Sequence, residues 1–310
     1  MSSGPGRRAN PCDTLDPVPV FDLVTAGEAF EDLIFAGLPR LPRPGEELRT
    51  TRFTRTAGGG AIITAVAATR AGLRCRVVSG LGPASASLLR HERIAVTNLC
   101  RPGDRPAVSA ALSTARNRTF VTFTGVNDRL EARLFAPVRR AAARHVHFAF
   151  CPARMARWRP VVLALKRRGV TTSWDFGWND RLPSDPDFLP LVGSLDYFMI
   201  NAQEALLYSG TTRFTAAAAF WKRREGCTIM KLGARGSRWL SPDLDIEVDA
   251  PATPVVDTTG AGDAFNGGFL AARLRHASPA AALRAGNRLG ALSVRKVGGI
   301  DGLPARRRAR

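Results

Sequence analysis

Two glycines frame an alanine at Gly260, Ala261 and Gly262, and an acid, Asp263, follows directly within the run DTTGAGDAF. The apolar stretch after it, through FLAARL, has the pattern of a helix. The three small residues therefore fall where the first unpaired backbone N–H groups point outward. Those donors and the positive end of the helix dipole suit a phosphate, and glycine lets the backbone come close to it. Asp263 at the mouth of such a cradle would repel a resting phosphate. It makes sense as the group that takes a proton from a hydroxyl attacking a phosphoryl centre. A plain helix start, capped by Asp257 or Thr259, explains one polar residue and one glycine. It leaves unexplained the second glycine and the acid after it.

Other candidates follow apolar runs. Asn201 and Glu204, in NAQEA, come after LDYFMI, face the same way at i and i+3, and also make a near-ideal helix cap. Gly58, Gly59 and Gly60 precede a helical stretch. KLGARG, with Lys231, Gly233 and Gly236, reads equally well as a structural hairpin. His145 and His147 share one face of a strand with no third ligand evident nearby, which favours strand histidines over a metal site.

These residues need a frame, and the pattern supplies one. VFDLVTAGEAF reads as a buried strand ending in Gly27. From about Phe30 to Thr56 the pattern is short and strand-like, interrupted by LPRLPRPGEE. AIITAVAATRAG is a helix and RCRVVSGLG a core strand, while AVSAALST and RTFVTFTG alternate like a half-exposed sheet. HVHFAFC, PVVLALKRRG, TTSWDFG, LDYFMIN, a helix from Thr215 to Arg224, and CTIMKLG then alternate β with α, which implies a parallel, mostly buried sheet. The aromatic-rich segment TTSWDFGWN, with Trp174, Asp175 and Trp178, could supply stacking for a sugar or base, or form a buried turn on the sheet edge.

A chain of 310 residues with 45% hydrophobic and 23% charged residues can bury a sizeable core. No run approaches the roughly 20 apolar residues of a membrane helix, and the opening lacks a secretory core. The cytoplasm is the expected compartment. The five cysteines are scattered without a CxxC pair, against a zinc site or a disulfide framework. The net charge is +19, and all but four of the 45 basic residues are arginine. They are spread along the chain without interleaved aromatics, so no specific nucleic-acid partner is expected, only salt-sensitive adhesion to polyanions. A P-loop is absent, and GAGDAF lacks the third glycine and the early position of a dinucleotide fingerprint.

The segment DTTGAGDAFNGGFLAARL resembles the second signature of the ribokinase-like (PfkB) carbohydrate kinases, and the likeness extends from Gly27 to about Gly299. It implies an α/β ribokinase-like fold, with a central, mostly parallel sheet flanked by helices and a small β-sheet lid. The organisation would be a flexible segment over 1–18, a single domain over 19–304 with a lid from about 30–57 and 105–126, and a basic tail over 305–310. The activity implied is ATP-dependent transfer of the γ-phosphate to a hydroxymethyl group of a sugar, sugar derivative or nucleoside. Asp263 would be the base and Gly260, Ala261 and Gly262 the anion hole. Asp32 would accept sugar hydroxyls, with Gly58 and Gly59 close to the sugar. Asn201 and Glu204 would order Mg²⁺ through water. Lys231, Gly233 and Gly236 would form the nucleotide turn, and Asn287 would lie near adenine or ribose. Asp257 would serve a monovalent cation such as K⁺, beside backbone carbonyls near Thr259 and Ser293, and lids pair into homodimers in the family.

One position departs from the pattern. Where the family carries an asparagine in GGxxxN, this chain has Ile63, which cannot hydrogen-bond a hydroxyl. That departure implies either a less polar acceptor at this point or a catalytically weakened protein of the same fold that binds a sugar or nucleotide as a sensor.

Overall fold

The apolar runs settle into two sheets and two layers of helix. The computed structural model describes residues 21–114 and 118–305. The N-terminal stretch over 1–18 and all but the first residue of the basic tail lie outside them. In chain order the elements are β1 (Phe21–Gly27), β2 (Phe30–Leu38), β3 (Arg52–Gly58), α1 (Gly60–Arg70), β4 (Cys75–Ser79), α2 (Pro83–His91), β5 (Ala95–Asn98), β6 (Val108–Thr114) and β7 (Arg118–Phe123). Then come α3 (Leu130–Arg139), β8 (Ala143–Ala149), α4 (Trp158–Arg167), β9 (Thr171–Asp175), α5 (Phe188–Val192), β10 (Tyr197–Asn201), α6 (Ala202–Ser209) and α7 (Phe214–Lys222). The chain continues with β11 (Thr228–Lys231), β12 (Ser237–Ser241), β13 (Leu244–Val248), α8 (Ala261–Arg273) and α9 (Pro279–Ser293).

The large sheet has nine strands in the order β13-β12-β11-β10-β9-β8-β1-β4-β5. All neighbours from β11 to β5 are parallel, and the edge closes with antiparallel β12 and β13. Central strands such as β1 are buried from Leu23 to Gly27, because helices cover both faces of a parallel sheet. One face carries α3 to α7 over an aromatic core in which Trp174 stacks on Phe148 at 4.3 Å and on Phe176 at 4.9 Å. The other carries α1, α2, α8 and α9. Helix α1 lies in this layer with every residue from Ala61 to Thr69 buried, as its Ala, Ile and Val content on all sides requires. Helix α9 starts where Ser278 caps and proline sits in the first turn, the position where a missing N–H costs nothing.

The second sheet has four strands in the order β3-β2-β6-β7. Among the described residues no helix is long and apolar enough to cross a membrane.

Candidate active site

Strand register assembles the site. Gly27, Ala149 and Asp175 line up across the C-terminal ends of β1, β8 and β9, and Asn201 lines up with Lys231 across β10 and β11. In open parallel sheets this edge forms the ligand crevice. Helices α1 and α8 begin over it, each behind a glycine with positive φ: Gly59 at 95° and Gly260 at 70°.

Asp263 is the third residue of α8. The first helical bond runs from Ala264 N to Gly260 O at 2.8 Å, so the amides of Gly262 and Asp263 precede it and face outward as helix geometry demands. Ala261 differs from expectation, because its amide closes a turn onto Thr258 O at 3.2 Å and is not a free donor. Burial, followed by the negative charge of Asp175, pushes the Asp263 carboxyl up to about 7; Lys231 opposes this and Glu204 adds to it. A carboxylate poised there exchanges protons near neutrality.

The group beside it is Asp175, named from the residues only as part of the aromatic segment and not as a charged neighbour of Asp263. Asp175 Oδ2 accepts from Lys231 Nζ at 2.6 Å and from Asn266 Nδ2 at 2.8 Å. Burial works against its charge, but Lys231 wins and holds the carboxyl below the usual range. Lys231 therefore reaches a carboxylate, and it also borders the cradle: a methyl group on Gly262 would stand 3.2 Å from its Nζ. Of the aromatic segment, Trp174 is core and donates Nε1 to Phe150 O at 2.7 Å, while Trp178 is exposed. The available signal for Asp175 was an acid at the end of a core strand.

Asn201 and Glu204 form a complete capping box. Asn201 Oδ1 accepts from the amides of Gln203 and Glu204, both at 2.9 Å, and Glu204 Oε2 accepts from Asn201 N at 2.8 Å. Glu204 is buried, and burial first, then Asp175, raises its carboxyl. A divalent cation suits this cluster of oxygens and negative charge. Among the described residues no three His, Cys, Asp or Glu side chains are grouped so as to hold a metal ion by themselves. Glu204 Oε1 takes no part in the capping bond.

Four expected residues make contacts within the protein itself. Asn287 gives its amide to Val248 O at 2.9 Å and Asp249 O at 3.2 Å, so it pins the end of β13 to α9. Gly233 and Gly236, with φ of 61° and 104°, turn β11 into antiparallel β12; a methyl on Gly236 would meet Val248 O at 2.0 Å. Asp257, expected to face a monovalent cation, faces a guanidinium: Oδ1 accepts from Thr259 N at 2.6 Å and pairs with Arg118 at 2.5 Å, and Oδ2 accepts from Gly298 N at 2.8 Å.

On the small sheet, Asp32 lies against Gly58, where a methyl would fall 1.9 Å from its Oδ2. Only glycine leaves space for that carboxylate. Burial, then Asp257, raises Asp32 to about 6, and Arg118 counteracts them. Ile63 is 2% exposed and fills the space beneath the α8 loop: methyl groups on Gly260 and Gly299 would come within 2.6 and 2.7 Å of its Cδ1. The two strand histidines join a buried chain, with His145 bonded to Thr171 Oγ1 and Ser173 Oγ, and His147 to the same Ser173 Oγ at 2.8 Å.

A mostly parallel sheet between helix layers, with a small second sheet at the C-terminal edge of its strands, defines a ribokinase-like α/β fold. The chain belongs to the pfkB family carbohydrate kinases, whose family model matches residues 21–306. It is 38% identical over 112 residues to the aminoimidazole riboside kinase of Salmonella typhimurium, a match spanning 34% of this chain and 35% of that relative. It is 26% identical over 302 residues to the uncharacterized sugar kinase YegV of Escherichia coli, covering 92% of this chain and 91% of the relative. Among solved structures, Arabidopsis thaliana ribokinase complexed with ribose and ATP superposes with a TM-score of 0.72 at 24% identity, over 92% of this chain and 96% of that one.

Proposed function

We propose that this protein transfers the γ-phosphate of ATP to a hydroxymethyl group of a sugar, sugar derivative or nucleoside. The observation that carries the reading is Asp263, lifted to about 7 at the start of α8, one residue after a glycine-framed turn. The acceptor hydroxyl gives its proton to Asp263 as its oxygen attacks the γ-phosphorus in line, and ADP leaves. The amides of Gly262 and Asp263, with Lys231 beside them, meet the charge that builds on the equatorial oxygens. Mg²⁺, when bound near Glu204, would neutralise the phosphates. The relatives support the class of acceptor by name, and the ribose and ATP bound by the Arabidopsis protein support the pair of substrates.

The domain reading goes with this one. Residues 19–304 act as one domain, and the four-stranded sheet is a lid that carries Asp32 over the acceptor and excludes water. Phe120, Val121 and Phe123 on β7 and Phe53 on β3 are exposed, which suits a lid that meets a second copy. Use of ATP as donor supports the cytoplasm as the compartment of the reaction.

The test is ADP release from ATP and Mg²⁺ across pentoses, hexoses, sugar phosphates, sugar acids and nucleosides. Turnover that depends on one compound and vanishes in Asp263→Asn supports the kinase and names its acceptor. Silence across the panel, with thermal stabilisation by a ligand retained, shifts the reading to a sugar- or nucleotide-binding sensor.

A further inference from the structure

The Arg118 guanidinium ties the small sheet to the loop that leads into α8. Its Nε donates to Ser113 Oγ on β6 at 2.8 Å, which fixes the plane of the fork. Its Nη1 donates to Thr259 Oγ1 and pairs with Asp257 Oδ1 at 2.5 Å. The Asp257 side chain is 1% exposed and that of Arg118 18%, so this is a contact in the body of the protein. One carboxylate thereby joins three pieces of chain: its own turn through Thr259 N, the segment after α9 through Gly298 N, and the small sheet through Arg118.

The loop has little slack. Gly260 follows Thr259 and is confined between Ile63 and Gly299, where even a methyl would stand 2.6 Å from the Ile63 side chain and 3.0 Å from Gly299 Cα. A displacement of Thr259 therefore passes into the Gly262 and Asp263 amides. Arg118 also lies close enough to Asp32 to counter the repulsion of Asp257, so one cation acts on the carboxylates of both Asp32 and Asp257.

We propose that Arg118 is a positioning residue for phosphoryl transfer: with the lid down, its fork holds the Asp257–Thr259 turn and so sets the anion-hole amides, coupling completion of the hole to coverage of the acceptor. The proposal rests on the kinase reading for its chemical consequence, and on the ion pair alone for its mechanical one. Misplacement of a positioned group by an ångström costs on the order of a hundredfold in rate. A hole that is complete only under the lid would suppress attack by water.

The experiment compares Arg118→Met and Arg118→Lys with wild type, alone and combined with Asp257→Asn. Hydrogen exchange of the free protein reads the loop without any acceptor. The expected result is faster exchange in 258–263 as well as in 118–123 for Arg118→Met, with Arg118→Lys between it and wild type because lysine keeps the charge but loses the fork. With an acceptor in hand, kcat should drop by about tenfold or more, ATP affinity should change less than twofold, and the fraction of ADP formed without phosphorylated acceptor should rise. In the Asp257→Asn background the further loss should shrink to under threefold. Exchange that changes in 118–123 alone, or kcat losses that multiply in the double variant, would overturn the proposal. Failure of wild type to phosphorylate any acceptor would instead sink the kinase reading, while the exchange result still decides the Arg118 contact.

Discussion

Helices α1 and α8 begin side by side at the same edge of the sheet, and comparing them separates what a helix start supplies from what a catalyst needs. Both follow a glycine with positive φ, both aim a positive dipole end at the cleft, and the two helices pack together. Yet α1 has no acid in its first turn and continues into Ile62 and Ile63, both buried, whereas α8 carries Asp263 there. The α1 glycines make room: a methyl on Gly60 would stand 3.0 Å from Asp263 Oδ1 and 2.8 Å from Ala149 Cβ. The α8 glycines supply donors and place the acid. Backbone amides at a helix start attract anions generically. In the proposed reaction the chemistry comes from one side chain, Asp263, whose proton affinity is moved by burial and by its neighbours.

The largest test of that contrast is Asp263→Asn, which should lower acceptor-dependent ADP release by about 10²- to 10⁴-fold, the range of a general base, without loss of folded protein by circular dichroism. A loss below tenfold would put the two helix starts on an equal footing. Next is Lys231→Met, which leaves Asp175 without its cation in a partly buried setting. It should cost about 3 kcal/mol in urea denaturation, and Asp175→Asn on top should recover part of it. The pH profile comes third. As the proposed general base Asp263 would work deprotonated, and its carboxyl lies near 7, so kcat/KM should fall tenfold per pH unit as pH drops below about 7. Because Lys231 lowers that value, Lys231→Met should shift the acid limb upward; a flat profile from pH 5 to 8 would break the assignment.

Two smaller effects sharpen the comparison from the α1 side. Gly60→Ala should reduce kcat roughly tenfold by pushing on Asp263, while Gly262→Ala should do less, since it meets only the flexible end of Lys231. The readout is kcat at saturating ATP for both. Ile63→Asn should lower stability by about 1–3 kcal/mol, because the amide enters an apolar space, and should leave the KM for a polyol acceptor unimproved. A lower KM would show that this side chain turns to the acceptor.

Much of the frame was legible in the residues. The alternation of apolar strands and helices from His145 onward gave a mostly parallel sheet, and the break to the antiparallel pair β12 and β13 is marked only by a turn that KLGARG left ambiguous. The helix from Thr215 to Arg224 appears as Phe214–Lys222, within the fraying expected at helix ends. At the candidate site, the helix start at Gly260 and the acid Asp263 in its first turn could be read directly. Asn287 could not, because an asparagine in a helix looks the same whether its amide meets a ligand or the carbonyls of Val248 and Asp249. Arg118 carried no signal among so many arginines on a strand that otherwise alternates.

The amino-acid sequence by itself determined the local chemistry: a helix start at Gly260, an acid in its first turn, a capping box at Asn201 and Glu204, and the apolar faces that drive the layers together. These depend on spacings of a few residues and on hydrogen bonds that close within one turn. Only the tertiary structure decided how the charges pair. Lys231 meets Asp175 across 56 positions, Asn266 meets it across 91, and Arg118 meets Thr259 across 141. Such partners are chosen by strand order, register and burial, since a charge taken out of water must find whichever opposite charge the fold brings beside it.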